Sequence, residues 1–233
     1  MNFETLIESF GDDIRLHARL VNTFSFMEYI GARKIMKSQI EDRISESLLS
    51  HMAEEIRHAQ VLKRLALKMS GGELGSYTSN HILGGHAAHE YMQAVDRGAS
   101  DILATKDTWL AYTCATWLIE ERAMRVYPSY EATLERLGFS GYLRGILRDE
   151  EKHLADVRRE MTLPAGSVTA LLALETSAFD RFLSCLPGGL GAKPSDELSG
   201  ADVRPLACPP QATHFQTQKK QDNTQTKDDQ TTP

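Results

Sequence analysis

Two glutamate–histidine pairs carry the strongest chemical signal in this sequence. Glu55-Ile56-Arg57-His58 and Glu150-Glu151-Lys152-His153 each read Glu-x-x-His, and residues three apart on a helix share one face. Both faces are otherwise apolar. One stripe runs Leu48, His51, Glu55, His58, Leu62, Leu65; the other runs Leu143, Ile146, Glu150, His153, Val157. A polar group turned toward a core without a partner is strongly disfavoured. A carboxylate and an imidazole at the centre of such a stripe therefore demand something to bind.

Each pair is preceded by a segment with a glutamate on its own stripe: Glu28 in "SFMEYIGARKI" and Glu120 in "WLIEERAMRVY". Arg33 and Arg125 stand five residues after these glutamates, and the separations Glu28–Glu55 and Glu120–Glu150 are 27 and 30 residues. The pattern reads as an internal, pseudo-twofold repeat of a helix hairpin. Four carboxylates and two imidazoles facing one interior would repel and desolvate each other. Two divalent cations, supplying roughly +4, resolve that conflict. Oxygen-rich, nitrogen-poor donors suit hard, redox-active ions better than zinc held by thiolates, and the donor set by itself accepts iron or manganese.

The elements that must position these groups are helical, since no run alternates with period two. Periodicity predicts helices over about 11–36, with His17, Val21, Phe24, Glu28, Gly31 and Ile35 on one stripe, over 40–69, over 101–137 and over 140–162. Residues 70–100 form a long connection holding one short helix. Pro128 is expected to kink or break the third helix, and Pro164 to close the fourth. A fifth helix follows, with Ser167 as N-cap and Val168, Leu171, Leu172, Phe179, Phe182 and Leu183 on a broad apolar face. That face is expected to cover the other helices or to join two copies in a homodimer. The expectation is an all-α, four-helix bundle with one long crossover, plus a fifth C-terminal helix. Residues 1–186 form the bundle domain, and 187–233, rich in Pro, Gly and polar repeats, form a disordered tail.

Bulk properties narrow the function classes. A net charge of −6 argues against nucleic acid as a partner. No stretch is apolar enough to span a membrane, and the acidic "MNFETLIESFGDDI" is unlike a secretory signal. Cys114, Cys185 and Cys208 lie far apart, giving no thiolate cluster or disulfide framework and pointing to the cytoplasm.

Over residues 11–162 the chain resembles the ferritin-like di-iron carboxylate superfamily. The match is carried by Glu28, Glu55-Ile56-Arg57-His58, Glu120 and Glu150-Glu151-Lys152-His153; "EYIGA" around Glu28 is similar to the rubrerythrins and the demethoxyubiquinone hydroxylases. The resemblance implies two iron ions, with Glu55 and Glu150 bridging them, Glu28 and Glu120 terminal, and His58 and His153 each on one iron. The sequence departs from the rubrerythrins in lacking their four-cysteine iron site and in having Met124 where they have a further carboxylate.

Other residues have plainer readings. Glu54, Glu121, Asp149 and Glu151 are expected beside the ligands or in solvent, with Glu121 the substitute for Glu120. His51, one turn before Glu55 on the same face, is expected to be a buried structural histidine or a hydrogen-bonding neighbour of the ligands, and His17 to be structural. His86 and His89 belong on an exposed crossover helix. Thr113 and Trp117 wall the site, and Gly31 removes bulk beside it. The function implied is a di-iron oxidoreductase acting with O2 or peroxide, with no catalytic residue beyond the ligands and an electron donor that the sequence does not identify. The alternatives are an iron-oxidising or peroxide-scavenging protein without organic substrate, and a metal-stabilised structural bundle. An apolar pocket reaching the metals would favour substrate oxidation, and a narrow acidic channel would favour iron oxidation.

Overall fold

The computed structural model describes residues 2–38, 44–105 and 107–188, and every regular element among them is helical. They are α1 (Phe3–Ser9), α2 (Ile14–Ser38), α3 (Glu46–Met69), α4 (Ala87–Leu103), α5 (Thr108–Arg136), α6 (Leu143–Glu160) and α7 (Ser167–Ser184). The expected tail lies outside the described residues from 189 onward, as do 39–43.

Short polar side chains set the helix starts by accepting from amides that have no intrahelical partner. Asn2 Oδ1 accepts from Thr5 N, Asp13 Oδ1 from Arg15 N and Leu16 N, Ser45 Oγ from Leu48 N, and Asp107 Oδ1 from Trp109 N. The break at Gly11, which has φ of 55°, separates α1 from α2. The first long helix therefore starts at residue 14, and α1 is an element the periodicity does not announce.

Three expectations need correction. Pro128 does not break α5, which runs through it from Thr108 to Arg136. Proline forfeits one backbone bond, but Val126, Tyr127, Tyr130 and Leu134 on either side are buried and hold the helix together. Ser167 is not the N-cap of α7. Gly166, at φ of 84°, takes that position, while the Ser167 hydroxyl donates back to Pro164 O. The helix in the long connection is not short: α4 has 17 residues and buries Ala88, Tyr91, Met92, Val95 and Ala99. His86 and His89 lie on its exposed side.

α2 packs along α3 and α5 along α6, the two hairpins anticipated from the repeat; α4 packs on α7 and on α5. The apolar face of α7 thus covers α4, with Leu171, Phe179, Phe182 and Leu183 buried and Val168 left 41% exposed. The approach of α4 to α7 is close enough that a Cβ at Gly98 would collide with Leu174. Among the described residues no helix is long and apolar enough to cross a membrane.

The connection from α3 to α4 is tied down by Lys63, whose Nζ donates to Asn22 Oδ1, Leu74 O and Ser76 O and lies 3.9 Å from the Tyr77 ring centroid. His17 is structural, as expected: Nε2 donates to Gly11 O at 3.0 Å and Nδ1 lies 3.2 Å from the Tyr130 hydroxyl.

Candidate metal centre

The stripes of α2, α3, α5 and α6 meet in one buried cluster. Glu28, Glu55, His58, Glu120, Glu150 and His153 are each at most 9% exposed. Their ligand atoms, with those of His51, fall into two groups in which all atoms lie within 4.8 Å of one another. One is His51, Glu55, Glu120 and His153; the other is Glu28, Glu55, His58 and Glu150. Either group could hold a metal ion, and Glu55 belongs to both. Glu150 also spans the two, with Oε1 3.1 Å from His58 Nδ1 and Oε2 3.7 Å from His153 Nδ1.

The two histidines of the repeat are mounted by exchange between α3 and α6. His153 Nε2 donates to Glu54 Oε2 at 2.7 Å, and His58 Nε2 donates to Asp149 Oδ2 at 3.3 Å. The cation two residues after each repeat glutamate supports the opposite carboxylate: Arg57 Nη2 is 2.9 Å from Asp149 Oδ2, and Lys152 Nζ is 3.7 Å from Glu54 Oε1. Glu54 and Asp149 thus stand where an orienting carboxylate would stand behind a metal-binding histidine. With each Nε2 turned outward, His58 Nδ1 and His153 Nδ1 face the glutamates, and both are buried without a hydrogen bond, as are both oxygens of Glu120 and Oε2 of Glu150. These five buried atoms without hydrogen-bond partners are of the types, imidazole nitrogen and carboxylate oxygen, that could bind a cation.

Glu121 is not a substitute for Glu120. Its Oε1 accepts from Trp117 Nε1 at 3.3 Å and from Arg158 Nη2, which turns it away from the cluster. Gly31 does sit against the site, since a Cβ there would lie 3.2 Å from Glu55 Oε2. His51 meets the expectation of a hydrogen-bond partner beside the ligands and goes further, reaching Glu120 as well, whereas Tyr127 was not foreseen. His51 Nε2 lies 3.2 Å from Glu55 Oε1 and 3.4 Å from Glu120 Oε1, and its ring is 4.0 Å from that of His153. Its place four residues before Glu55 was the available signal. Tyr127 Oη donates to Glu28 Oε1 at 2.5 Å; its position seven residues after Glu120, two turns along one face, was the signal there.

A cavity of about 700 Å³ opens onto the cluster. Glu28, Glu55, Glu120 and Glu150 contribute to its wall, with apolar groups such as Phe24, Met27, Ile119, Val126 and Phe179 and charged ones such as Lys34, Lys37, Asp96 and Arg97.

Without metal, protons balance the charge. Burial by itself would lower all three imidazoles, but the surrounding glutamates outweigh it and raise His51 and His58 to about 9 and His153 to about 11. Burial also favours neutral carboxyls. It raises Glu28, with repulsion from Glu55 and Glu150 adding to it, and it raises Glu120. Glu150 goes the other way, because His153 and His58 outweigh burial and hold it down to about 2. Raised imidazoles stabilise the fold below their unfolded value near 6.5, and that contribution is lost as pH rises through 9 to 11. The metal-free protein should therefore lose stability between pH 7 and 10, read by urea unfolding. Because ligand imidazoles and carboxylates must be deprotonated, metal binding at pH 7 should release protons, from His58 and His153 and from any carboxyl that burial keeps neutral. Calorimetry in buffers of different ionisation enthalpy measures that release; release of none would contradict the electrostatics described.

Comparison with protein-family models, curated proteins and solved structures gives no match to this chain.

Proposed function

We propose that the protein is a ferritin-like di-iron carboxylate oxidoreductase that uses O2 or peroxide to oxidise an organic molecule held in the cavity beside the cluster. The observation that carries the reading is the pair of four-residue donor groups sharing Glu55, on helices paired α2 with α3 and α5 with α6. This matches the plan of a glutamate from each of two helices and Glu-x-x-His from each of two others. The residues fit the ions: the orphaned nitrogens and oxygens face one another, and four glutamates offset the charge of two divalent cations. Glu28, Glu55, His58, Glu120, Glu150 and His153 would hold them. Two bound iron ions would supply the electrons for reduction of O2 or peroxide, and manganese fits the same donors.

The chain's own groups account for the rest. Glu54 and Asp149 fix the two imidazoles so that Nδ1 faces inward. Tyr127 holds a proton at Oη against Glu28, and burial together with Glu28 keeps the phenol protonated. The cavity would hold a substrate with apolar surface beside Glu28 and Gly31, both of which line it. A wide, largely apolar cavity supports oxidation of an organic substrate over iron oxidation for storage, which calls for a narrow acidic path.

Protein from iron-supplemented cells should carry about two irons per chain by elemental analysis. Mixing the ferrous form with O2 should give a fast absorbance change in stopped flow. Oxygen consumption screened over quinones, aldehydes and Fe(II) then separates the readings. Turnover with Fe(II) alone would replace substrate oxidation by iron handling, and no reaction with O2 or peroxide would leave a structural metal site.

A further inference from the structure

All three imidazoles of the cluster are mounted alike. His58 and His153 each engage an outward carboxylate through Nε2 and leave Nδ1 for the glutamates. His51 reverses the nitrogens but keeps the arrangement: Nδ1 lies 3.4 Å from the Tyr112 hydroxyl, while Nε2 faces Glu55 and Glu120. An outer partner that fixes the ring and its tautomer is the usual setting of a metal-bound histidine. A histidine serving only to brace Glu55 would have no need for its inner nitrogen to lie among the donors of both Glu55 and Glu120.

We propose that His51 is a third imidazole ligand, and that it makes the two ion positions unequal, so that the position formed by His51, Glu55, Glu120 and His153 fills before the position formed by Glu28, Glu55, His58 and Glu150. This rests on the two-ion reading above and adds an order of loading to it. The first position offers two nitrogens and two carboxylates, the second one nitrogen and three carboxylates. Imidazole favours the later first-row ions, whereas carboxylate suits harder ones such as Mn(II). Co(II), Fe(II) and Zn(II) therefore go first to the His51 side, and Mn(II) discriminates less. The internal repeat is thus symmetric in its six sequence-matched ligands and broken by a seventh, which has no counterpart in the second hairpin: the residue four before Glu150 is Ile146.

The test is a titration of the metal-free full-length protein with Co(II), followed by visible absorption and calorimetry, with stoichiometry from elemental analysis. The wild type should bind two ions in two steps separated by at least about tenfold in affinity. His51→Ala should weaken the tighter step by at least about tenfold and change its Co(II) spectrum, and added imidazole should restore both. Tyr112→Phe keeps the ligand and removes its outer partner, so it should shift the same step by a smaller factor. Two steps of wild-type affinity with an unchanged spectrum in His51→Ala would overturn the inference and leave the two-ion reading standing. A wild type that binds no Co(II), or one ion only, would overturn the two-ion reading itself.

Discussion

Glu55→Ala should abolish binding at both ion positions together, taking the iron content from about two per chain to well below one. Glu55 is the glutamate that belongs to both donor groups; Glu150 lies against both His58 and His153, so Glu150→Ala should weaken both positions but less completely. Glu28→Ala and Glu120→Ala each remove a ligand from one group and should leave the other able to bind. The double variant Glu55→Ala, Glu150→Ala should hold no iron at all. Elemental analysis of protein from iron-supplemented cells measures this directly. Stability provides the control. Glu55 is paired with His51 in the metal-free protein, so metal-free Glu55→Ala should still unfold cooperatively, which shows that the loss of iron reports the missing ligand and not a missing fold. Retention of about two irons by Glu55→Ala would remove the site assignment.

Removal of Glu175 should produce the largest loss of stability from a single polar substitution in this fold. Glu175, on α7, is 3% exposed. It accepts from Arg122 Nε at 2.9 Å, Arg122 Nη2 at 2.6 Å and Tyr91 Oη at 2.9 Å, joining α5 and α4 to α7. Arg122 also lies 4.3 Å from the Phe179 ring centroid, so its charge is held between an anion and an aromatic face. Burial would lower the Arg122 pKa, but Glu175 outweighs it and raises it. Glu175→Ala leaves a half-buried guanidinium and a buried phenol without their acceptor, a cost of about 3–5 kcal/mol. At the scaling for a chain of this size that is a drop in Tm on the order of 10 °C. Replacing both partners, Glu175→Leu with Arg122→Met, should recover most of it, since an apolar pair leaves no charge behind. Thermal unfolding of the metal-free protein checks both, and a loss below about 1 kcal/mol in Glu175→Ala would show the pair to be dispensable. The iron content should not change, which separates this tie from the cluster.

How much of this could be read beforehand follows from the range of the forces involved. Glu28, Glu55, His58, Glu120, Glu150 and His153 were legible because each lies on an apolar stripe of its own helix, and helical phase is set by residues within a turn or two. The helical class, the two hairpins and the apolar face of α7 were legible for the same reason. Where a single residue decided a boundary, the reading went astray. Ser167 lost the cap of α7 to Gly166, whose positive φ favours glycine at that turn, and Pro128 did not break α5 because buried neighbours on both sides outweigh one missing backbone bond.

Tertiary structure alone decided which distant groups meet. That Glu54 receives His153 and Asp149 receives His58 depends on how α3 and α6, some 90 residues apart in the chain, are rotated and offset. The same holds for Tyr112 behind His51, Tyr127 on Glu28, Glu175 between Tyr91 and Arg122, and the cavity enclosed beside the glutamates. The periodicity of one helix states which way a side chain faces. Only the packing of several states what it faces, because contact falls off within a few ångströms while register between helices is settled by the whole interface.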